Sequence, residues 1–198
     1  TADYVHVEDV VEALVRAAVR DGVAGEVINA GSGREIAIRD LAARVVKEAV
    51  ARAKIDPASV GQCVIGNVIH TEAKDMYVSR VVALHAGLPN TSGAFTVNRL
   101  CGSGMQAIVS ASQTILLGDS DAAIAGGVES MSRAAYANLT QRWGQRVGDG
   151  KTVATMVGAL TDPFDTVHMG VTAENVAAKC GLNREVQDAF AVESHKRA

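Results

Sequence analysis

The sequence predicts an α/β fold with a βαβαβ core, and three observations carry that expectation. Aromatic residues make up only 4% of the 198 residues while Ala, Val and Gly abound, a balance suited to helices packed tightly on a buried parallel sheet. Short β-branched runs alternate with longer segments of helical periodicity between Val60 and Val128. Pro57, Gly87 and Pro89 fall at the joins between them.

Taken in order, Tyr4 to His6 reads as a short strand or turn. A helix follows, its start marked by Glu8 and Asp9, its apolar positions Val10, Val11, Leu14, Val15 and Ala18 at helical spacing, and its end at Gly22. Glu26 to Asn29 is a brief strand and Gly31-Ser32-Gly33 a turn, too short to claim a nucleotide. A second helix is expected from Arg39 or Asp40 to Ala53, because Leu41, Val45, Ala49 and Ala53 share a face. Residues 60–69 form a β-branched run suited to a buried strand, and 75–86 fit a helix packed on several sides through Met76, Val78, Val81, Val82 and Leu84. A strand over 95–100, a largely apolar helix over 103–117 and a strand over 122–128 complete the alternation. After Met131 glycines interrupt the pattern, and helical periodicity returns only over 172–178 and 184–198. This stretch is expected to be a loop and helical excursion from the core. Its last helix runs into the final residue, so the chain is expected to stop inside a domain, and Thr1 is not an expected natural start.

Composition narrows the functional classes. A hydrophobic fraction of 48% suits a globular chain, and a net charge of -3 supplies no basic field for nucleic acid. Cys63, Cys101 and Cys180 are odd in number, widely spaced and without a CxxC pair, which argues against a disulfide framework and against a zinc site. A reducing, cytoplasmic compartment fits that usage. No apolar run approaches the ~20 residues of a membrane-spanning helix.

The chemically informative stretch is Val97-Asn98-Arg99-Leu100-Cys101-Gly102-Ser103-Gly104-Met105, which places a cysteine between a strand and a long helix. A thiol there feels the positive end of the helix dipole and free backbone N–H groups, both of which favour the thiolate. Gly102 and Gly104 remove side chains where a bulky thioester would approach, a setting suited to covalent acyl transfer. The plainer reading, a small buried hydrophobe in a glycine-rich turn, is the commoner fate of a lone cysteine. Gly126-Gly127 lacks the spacing of a phosphate-binding loop. His70, His85 and His195 have no partner pattern and read as surface or packing residues.

VNRLCGSGMQAI, then AAIAGGVESMS, LTDPFDTVHMGVTAENVA and the RxxQDxFAxxS helix resemble, in this order, the N-terminal half of bacterial thiolases, notably broad-range β-ketothiolases. The resemblance runs from Lys47 to the end. It implies an incomplete thiolase-like core over 46–131 and a truncated loop-domain segment over 132–198. It also implies an acyl-CoA C-acyltransferase, in which Cys101 takes an acyl group from acyl-CoA and an acetyl-CoA enolate then attacks it, with thiolysis as the reverse. The backbone N–H of Cys101 would contribute to the oxyanion hole. Leu160, His168 and Met169 match positions lining the pantetheine tunnel, His168 serving binding rather than proton transfer. The family needs no cofactor beyond its coenzyme A thioester substrates and no metal, and its members associate as homo-oligomers. Its Asn-Glu-Ala-Phe, Gly-His-Pro and Cys-x-Gly loops do not occur in this sequence. Those loops hold a water, the histidine that activates the nucleophile and the cysteine that moves the α-proton, so the isolated chain is expected to lack turnover. The alternative is a non-catalytic half-domain that only pairs with another chain.

Residues 1–45 resemble something else. DYVHVEDVVEALVRAA and GEVINAGSGREIAIRDLA are similar to the C-terminal region of extended short-chain dehydrogenases of the nucleotide-sugar epimerase and dehydratase type. That implies a chimera joined near 40–47, where Asp40 to Val50 satisfies both patterns. It also keeps a nucleotide-sugar epimerase fragment as a further alternative, although the dinucleotide loop and Tyr-x-x-x-Lys pair are absent. In such a chimera the strand at Glu26 to Asn29 would replace the first thiolase strand, centrally in the sheet beside Val64.

Overall fold

The computed structural model of the protein describes residues 2–3, 35–145 and 147–197. They fall into two compact units, Thr1–Ser130 and Met131–Ala198. The expected strand at Tyr4 to His6, the helix after Glu8, the strand at Glu26 to Asn29 and the turn at Gly31 to Gly33 lie outside the described residues.

In the first unit a two-residue strand β1 (Ala2–Asp3) pairs antiparallel with β2 (Glu35–Ile36), Ala2 opposite Ile36. Helix α1 (Ile38–Ala53) follows and ends where Lys54 turns left-handed, its N–H donated to the Ala51 carbonyl. Strand β3 (Val60–Gly66) leads to helix α2 (Val78–His85) through a 3₁₀ turn, Ala73–Tyr77. Asp75 fastens that turn, its carboxylate accepting from the Thr71 and Glu72 N–H groups and from the Thr71 hydroxyl. Strand β4 (Gly93–Val97), helix α3 (Ser103–Leu116) and strand β5 (Ala122–Gly127) complete the alternation.

The sheet is parallel in the order β4-β3-β5, as a chain of βαβ crossovers requires. Strand β3 is central: Val64 stands opposite Phe95 on one side and Ala125 on the other. Alternate residues of β3 go to opposite faces. Cys63 and Ile65 pack with Val46 and Val50 of α1 and Val78 and Val82 of α2. Val64 packs with Ala107 and Ala111 of α3. A strand covered on both faces carries consecutive apolar residues, as Cys63, Val64 and Ile65 do here, and full burial of a side chain like Val64 contributes about 1.5–3 kcal/mol.

Several boundaries and faces differ from expectation. Strand β3 stops at Gly66 rather than 69, because the N–H groups of Val68 and Ile69 turn to the Glu129 carboxylate. Strand β4 runs over Gly93–Val97 rather than 95–100, because the Asn98 side chain takes the Leu100 N–H and closes a turn. The helix expected over 75–86 begins only at Val78, with exposed Met76 in the 3₁₀ turn before it; α2 buries one face, through Val78, Ser79, Val82 and Ala83, and leaves Leu84 exposed. On α1 the buried positions are Ala43, Val46 and Val50, which meet α2 and β3. The Leu41, Val45, Ala49 and Ala53 stripe instead lines an open groove of about 450 Å³ along β5. The proposed replacement strand at Glu26 to Asn29 is not described, and both edges of β3 beside Val64 are already occupied.

The second unit holds an antiparallel pair, β6 (Tyr136–Asn138) and β7 (Thr152–Ala154), and helices α4 (Thr155–Ala159), α5 (Met169–Cys180) and α6 (Arg184–Arg197). None of its described residues is fully buried, and Trp143, Phe164 and Phe190 face solvent. No helix among the described residues is long and apolar enough to cross a membrane.

Candidate active site

Strand β4 delivers the chain to α3 through a turn of five residues held by its own polar groups. Asn98 Oδ1 accepts from the Leu100 N–H at 3.0 Å. Leu100 is left-handed, φ 46°, a region that costs a branched side chain energy and persists where the surroundings fix it. Ser103, buried at the first turn of α3, fixes it from the other side. Its hydroxyl accepts from the Arg99 N–H at 2.9 Å and donates to the Leu100 carbonyl at 2.6 Å. The Arg99 guanidinium reaches forward to Gln106 Oε1 at 2.7 Å, clamping the turn to the helix.

Cys101 sits at the apex as an exposed free thiol, one residue before the Gly102 that caps α3. The first intrahelical bond runs from the Gln106 N–H to the Gly102 carbonyl, and among the described residues nothing accepts from the Cys101 N–H. An exposed sulfur beside an unused donor at a helix start can take an acyl group and stabilise an oxyanion. The other cysteines behave differently. Cys63 is buried in the core, and burial pushes its thiol up to about 11. Cys180 is exposed at the end of α5.

Glycine serves the site where the sequence did not single it out. A Cβ on Gly66 would lie 3.0 Å from Ser103 backbone and side-chain atoms, so this glycine is what lets α3 start close against β3. A Cβ on Gly104 would meet nothing within 4 Å, so the space beside the turn is open there. At Gly126 and Gly127 an added Cβ finds only ordinary contacts of 3.6 and 3.5 Å. The glycine that meets the backbone of the turn and of α3 closely is Gly66. Its signal in the sequence is a lone glycine ending a β-branched run. Asn98 and Ser103 were likewise legible only as turn formers, without their joint hold on Leu100.

In the second unit, Leu160, His168 and Met169 come together. Thr161 and His168 form an antiparallel bridge, and the Met169 N–H donates to the Leu160 carbonyl at 2.8 Å. The loop between them is closed by Asp162, whose N–H donates to the Val167 carbonyl and whose side chain accepts from the Phe164 N–H. His168 also caps α5, Nδ1 accepting from the Gly170 N–H at 3.0 Å, so that nitrogen carries no proton in this arrangement. Leu160 and Met169 are half-buried and His168 is exposed. Of the remaining histidines, His85 stands 3.6 Å from Asp40 on the surface. No cluster of three or more His, Cys, Asp or Glu placed to hold a metal ion occurs among the described residues.

The family model for the thiolase N-terminal domain matches residues 17–198. The chain belongs to the thiolase family. It is 57% identical over 168 residues to β-ketothiolase BktB of Cupriavidus necator, an alignment that takes in 85% of this chain and 43% of that one. Among solved thiolase structures, the Bacillus anthracis acetyl-CoA acetyltransferase superposes with a TM-score of 0.72 and 40% identity, over 84% of this chain and 42% of that one. The human mitochondrial 3-ketoacyl-CoA thiolase in complex with CoA gives 0.73 and 36%, over 82% and 42%. The chain therefore spans about 43% of the length of the curated thiolases it matches. The thiolase match overlaps the dehydrogenase-like opening from residue 17 onward. These relatives give no support to the nucleotide-sugar alternative.

Proposed function

We propose that this chain carries the acyl-accepting half of a thiolase active site, with Cys101 as nucleophile. The carrying observation is the exposed Cys101 thiol in a turn held by Asn98, a left-handed Leu100 and Ser103, with its own N–H unused. The thiolate attacks the thioester carbonyl of an acyl-CoA. The C–S bond to coenzyme A breaks, coenzyme A leaves as its thiolate and takes a proton from solvent, and the acyl group remains on Cys101 until an acetyl-CoA enolate takes it in a Claisen condensation. In the thiolytic direction coenzyme A takes it instead. The Cys101 N–H supports the oxyanion in both halves of the cycle. Leu160, His168 and Met169, gathered at the start of α5, line the pantetheine path, and the substrates are coenzyme A thioesters with no further cofactor.

The histidine and second cysteine of the family's acid–base machinery are absent from these 198 residues, so turnover by the chain alone is negligible. Ordinary rates in a coupled acetoacetyl-CoA thiolysis assay of the purified chain would refute that. Mass spectrometry after incubation with acetyl-CoA tests the nucleophile itself. A site-specific adduct of one acyl group on Cys101 supports the reading, and none there leaves the chain as a half that only pairs with another. The exposed apolar residues of the second unit favour association into a homo-oligomer in the cytoplasm, which size-exclusion chromatography reads. The dehydrogenase-like motifs of the opening support a chimera joined near 40–47, and the thiolase match from residue 17 speaks against it. Source DNA that encodes a thiolase opening instead would overturn the chimera.

A further inference from the structure

The C-terminal ends of β3, β4 and β5 are tied together by side chains that the reading above does not use. Glu129 follows β5, and its carboxylate gathers three donors: the Val68 N–H at 2.8 Å, the Ile69 N–H at 3.1 Å and Asn67 Nδ2 at 3.1 Å. Asn67 Nδ2 also donates to the Val128 carbonyl at 2.8 Å, and its backbone N–H to the Val97 carbonyl at 3.1 Å. The loop after β3 is thus wrapped around one carboxylate. Its next carbonyl, that of Val68, accepts from Asn98 Nδ2 at 3.2 Å. The other end of the same amide, Oδ1, holds the Leu100 N–H.

We propose that Glu129 is a positioning residue for Cys101, acting through the 67–69 loop and Asn98. The inference rests on Cys101 being the nucleophile. Asn98 is an exposed side chain, and an exposed amide free to rotate would fix nothing. Anchoring its Nδ2 on a carbonyl held by a carboxylate turns it into a rigid bracket on the left-handed Leu100. Buried Asn67 meanwhile leaves its Oδ1 without a partner, a defect that lowers stability. The geometry is therefore better matched to holding the 67–69 loop in place than to maximal stability.

A double-mutant cycle on the 198-residue chain tests this. Glu129→Gln sets an amide against the Val68 and Ile69 donors, and Asn98→Ala removes the bracket. Iodoacetamide labelling is followed at each cysteine by peptide mass spectrometry. Cys180 serves as the internal reference, and buried Cys63 reports unfolding. Each single variant is expected to lower the Cys101 to Cys180 rate ratio at least threefold or so, while Glu129→Gln adds less than about 1.5-fold once Asn98 is Ala, because both act through one path. Asn98→Asp, which keeps an acceptor for Leu100 but loses the donor to Val68, is expected to lower the ratio as Asn98→Ala does and to be insensitive to Glu129→Gln. Multiplicative effects of the two substitutions, or an unchanged ratio in either, would overturn the proposal. If Glu129→Gln exposes Cys63, Glu129→Asp, which keeps the charge but shortens its reach to the Val68 and Ile69 donors, takes its place in the same cycle and decides by the same ratio. Failure of wild-type Cys101 to take an acyl group from acetyl-CoA sinks the nucleophile reading separately, since the labelling ratios do not depend on acylation.

Discussion

Gly66→Ala puts a single methyl at the point where β3 and α3 meet. The new Cβ would lie 3.0 Å from the carbonyl carbon, the carbonyl oxygen and Cβ of Ser103. Carbon pairs pack best at roughly 3.5–4.0 Å, so the first turn of α3 must retreat by about half an ångström or more. Backbone cannot swing aside as a flexible side chain would, and Gly66 is pinned in register between Val97 and Gly127. Overpacking of this kind costs about 1–3 kcal/mol, and the reduced freedom of the unfolded chain returns about 0.4–1 kcal/mol. At mid-range the net is a loss of about 1.3 kcal/mol, which for a chain of this size lowers Tm by roughly 3–5 °C. The displaced element carries Ser103, which braces Arg99 and Leu100, so the Cys101 to Cys180 labelling ratio should shift in the same variant. Gly104→Ala is the control. Its Cβ meets nothing within 4 Å and replaces a helical glycine, so stability should rise by about 0.5–1 kcal/mol. Urea or thermal melts of the two variants decide the matter. If Gly66→Ala melts with the wild type and leaves Cys101 labelling unchanged, the close contact does not set the turn.

Native labelling at neutral pH should modify Cys101 and Cys180 within the same interval and leave Cys63 untouched until denaturant is added, since Cys63 is both buried and held protonated up to about 11. Labelling of Cys63 in the absence of denaturant would contradict the core described for β3. At Asp75, partial burial pushes the carboxyl up, but the Thr71 hydroxyl, the Thr71 and Glu72 N–H groups and nearby His70 outweigh it and hold it below the usual carboxylate range. A depressed native value stabilises the fold above the unfolded-state value and ceases to do so as pH falls through the native one. Melting temperature should therefore drop through that acid window, and Asp75→Asn should flatten the drop; an unchanged acid profile would exclude this clamp. Ser79 is buried, with its hydroxyl donating to the Phe95 carbonyl at 2.7 Å and accepting from the Ile65 N–H at 3.2 Å. Ser79→Ala should cost about 1–3 kcal/mol by leaving those groups unpaired, and a urea midpoint equal to wild type would contradict it.

The sheet was legible because a central parallel strand and the helices over it impose different periods on the same apolar residues. Residues 63–65 carry no alternation since both faces of β3 are covered there, and α3 is marked by its small residues Ala107 and Ala111, which let it lie close to Val64. Helix faces were less legible. On α1 the spacing of Leu41, Val45, Ala49 and Ala53 is as regular as that of Val46 and Val50, and only the position of α2 decides which row is buried. Nothing local to α1 encodes that position. The strand ends were missed for the same reason: β3 and β4 stop where Glu129 and Asn98 capture backbone N–H groups, one of them from about sixty residues away in sequence.

Cys101 shows where local chemistry stops being sufficient. A strand, a cysteine, a glycine and a helix can be read from nine consecutive residues, and they fix which side chain the proposed acyl acceptor carries. They do not fix its orientation, which depends on the φ of Leu100, and that in turn depends on Asn98, Ser103 and a glycine in a different strand. Each of these is unremarkable alone: an asparagine in a turn, a serine at a helix start, a glycine at a strand end. Their meaning arises when β3, β4 and β5 finish side by side, because the carboxyl ends of parallel strands are where backbone groups leave the ladder and must find other partners. In this chain those partners, from Glu129 to Ser103, converge on the residue before the thiol. The turn that would receive the acyl group is therefore a product of the sheet as a whole, and substitutions in β3 or after β5 should be felt at a cysteine they do not touch.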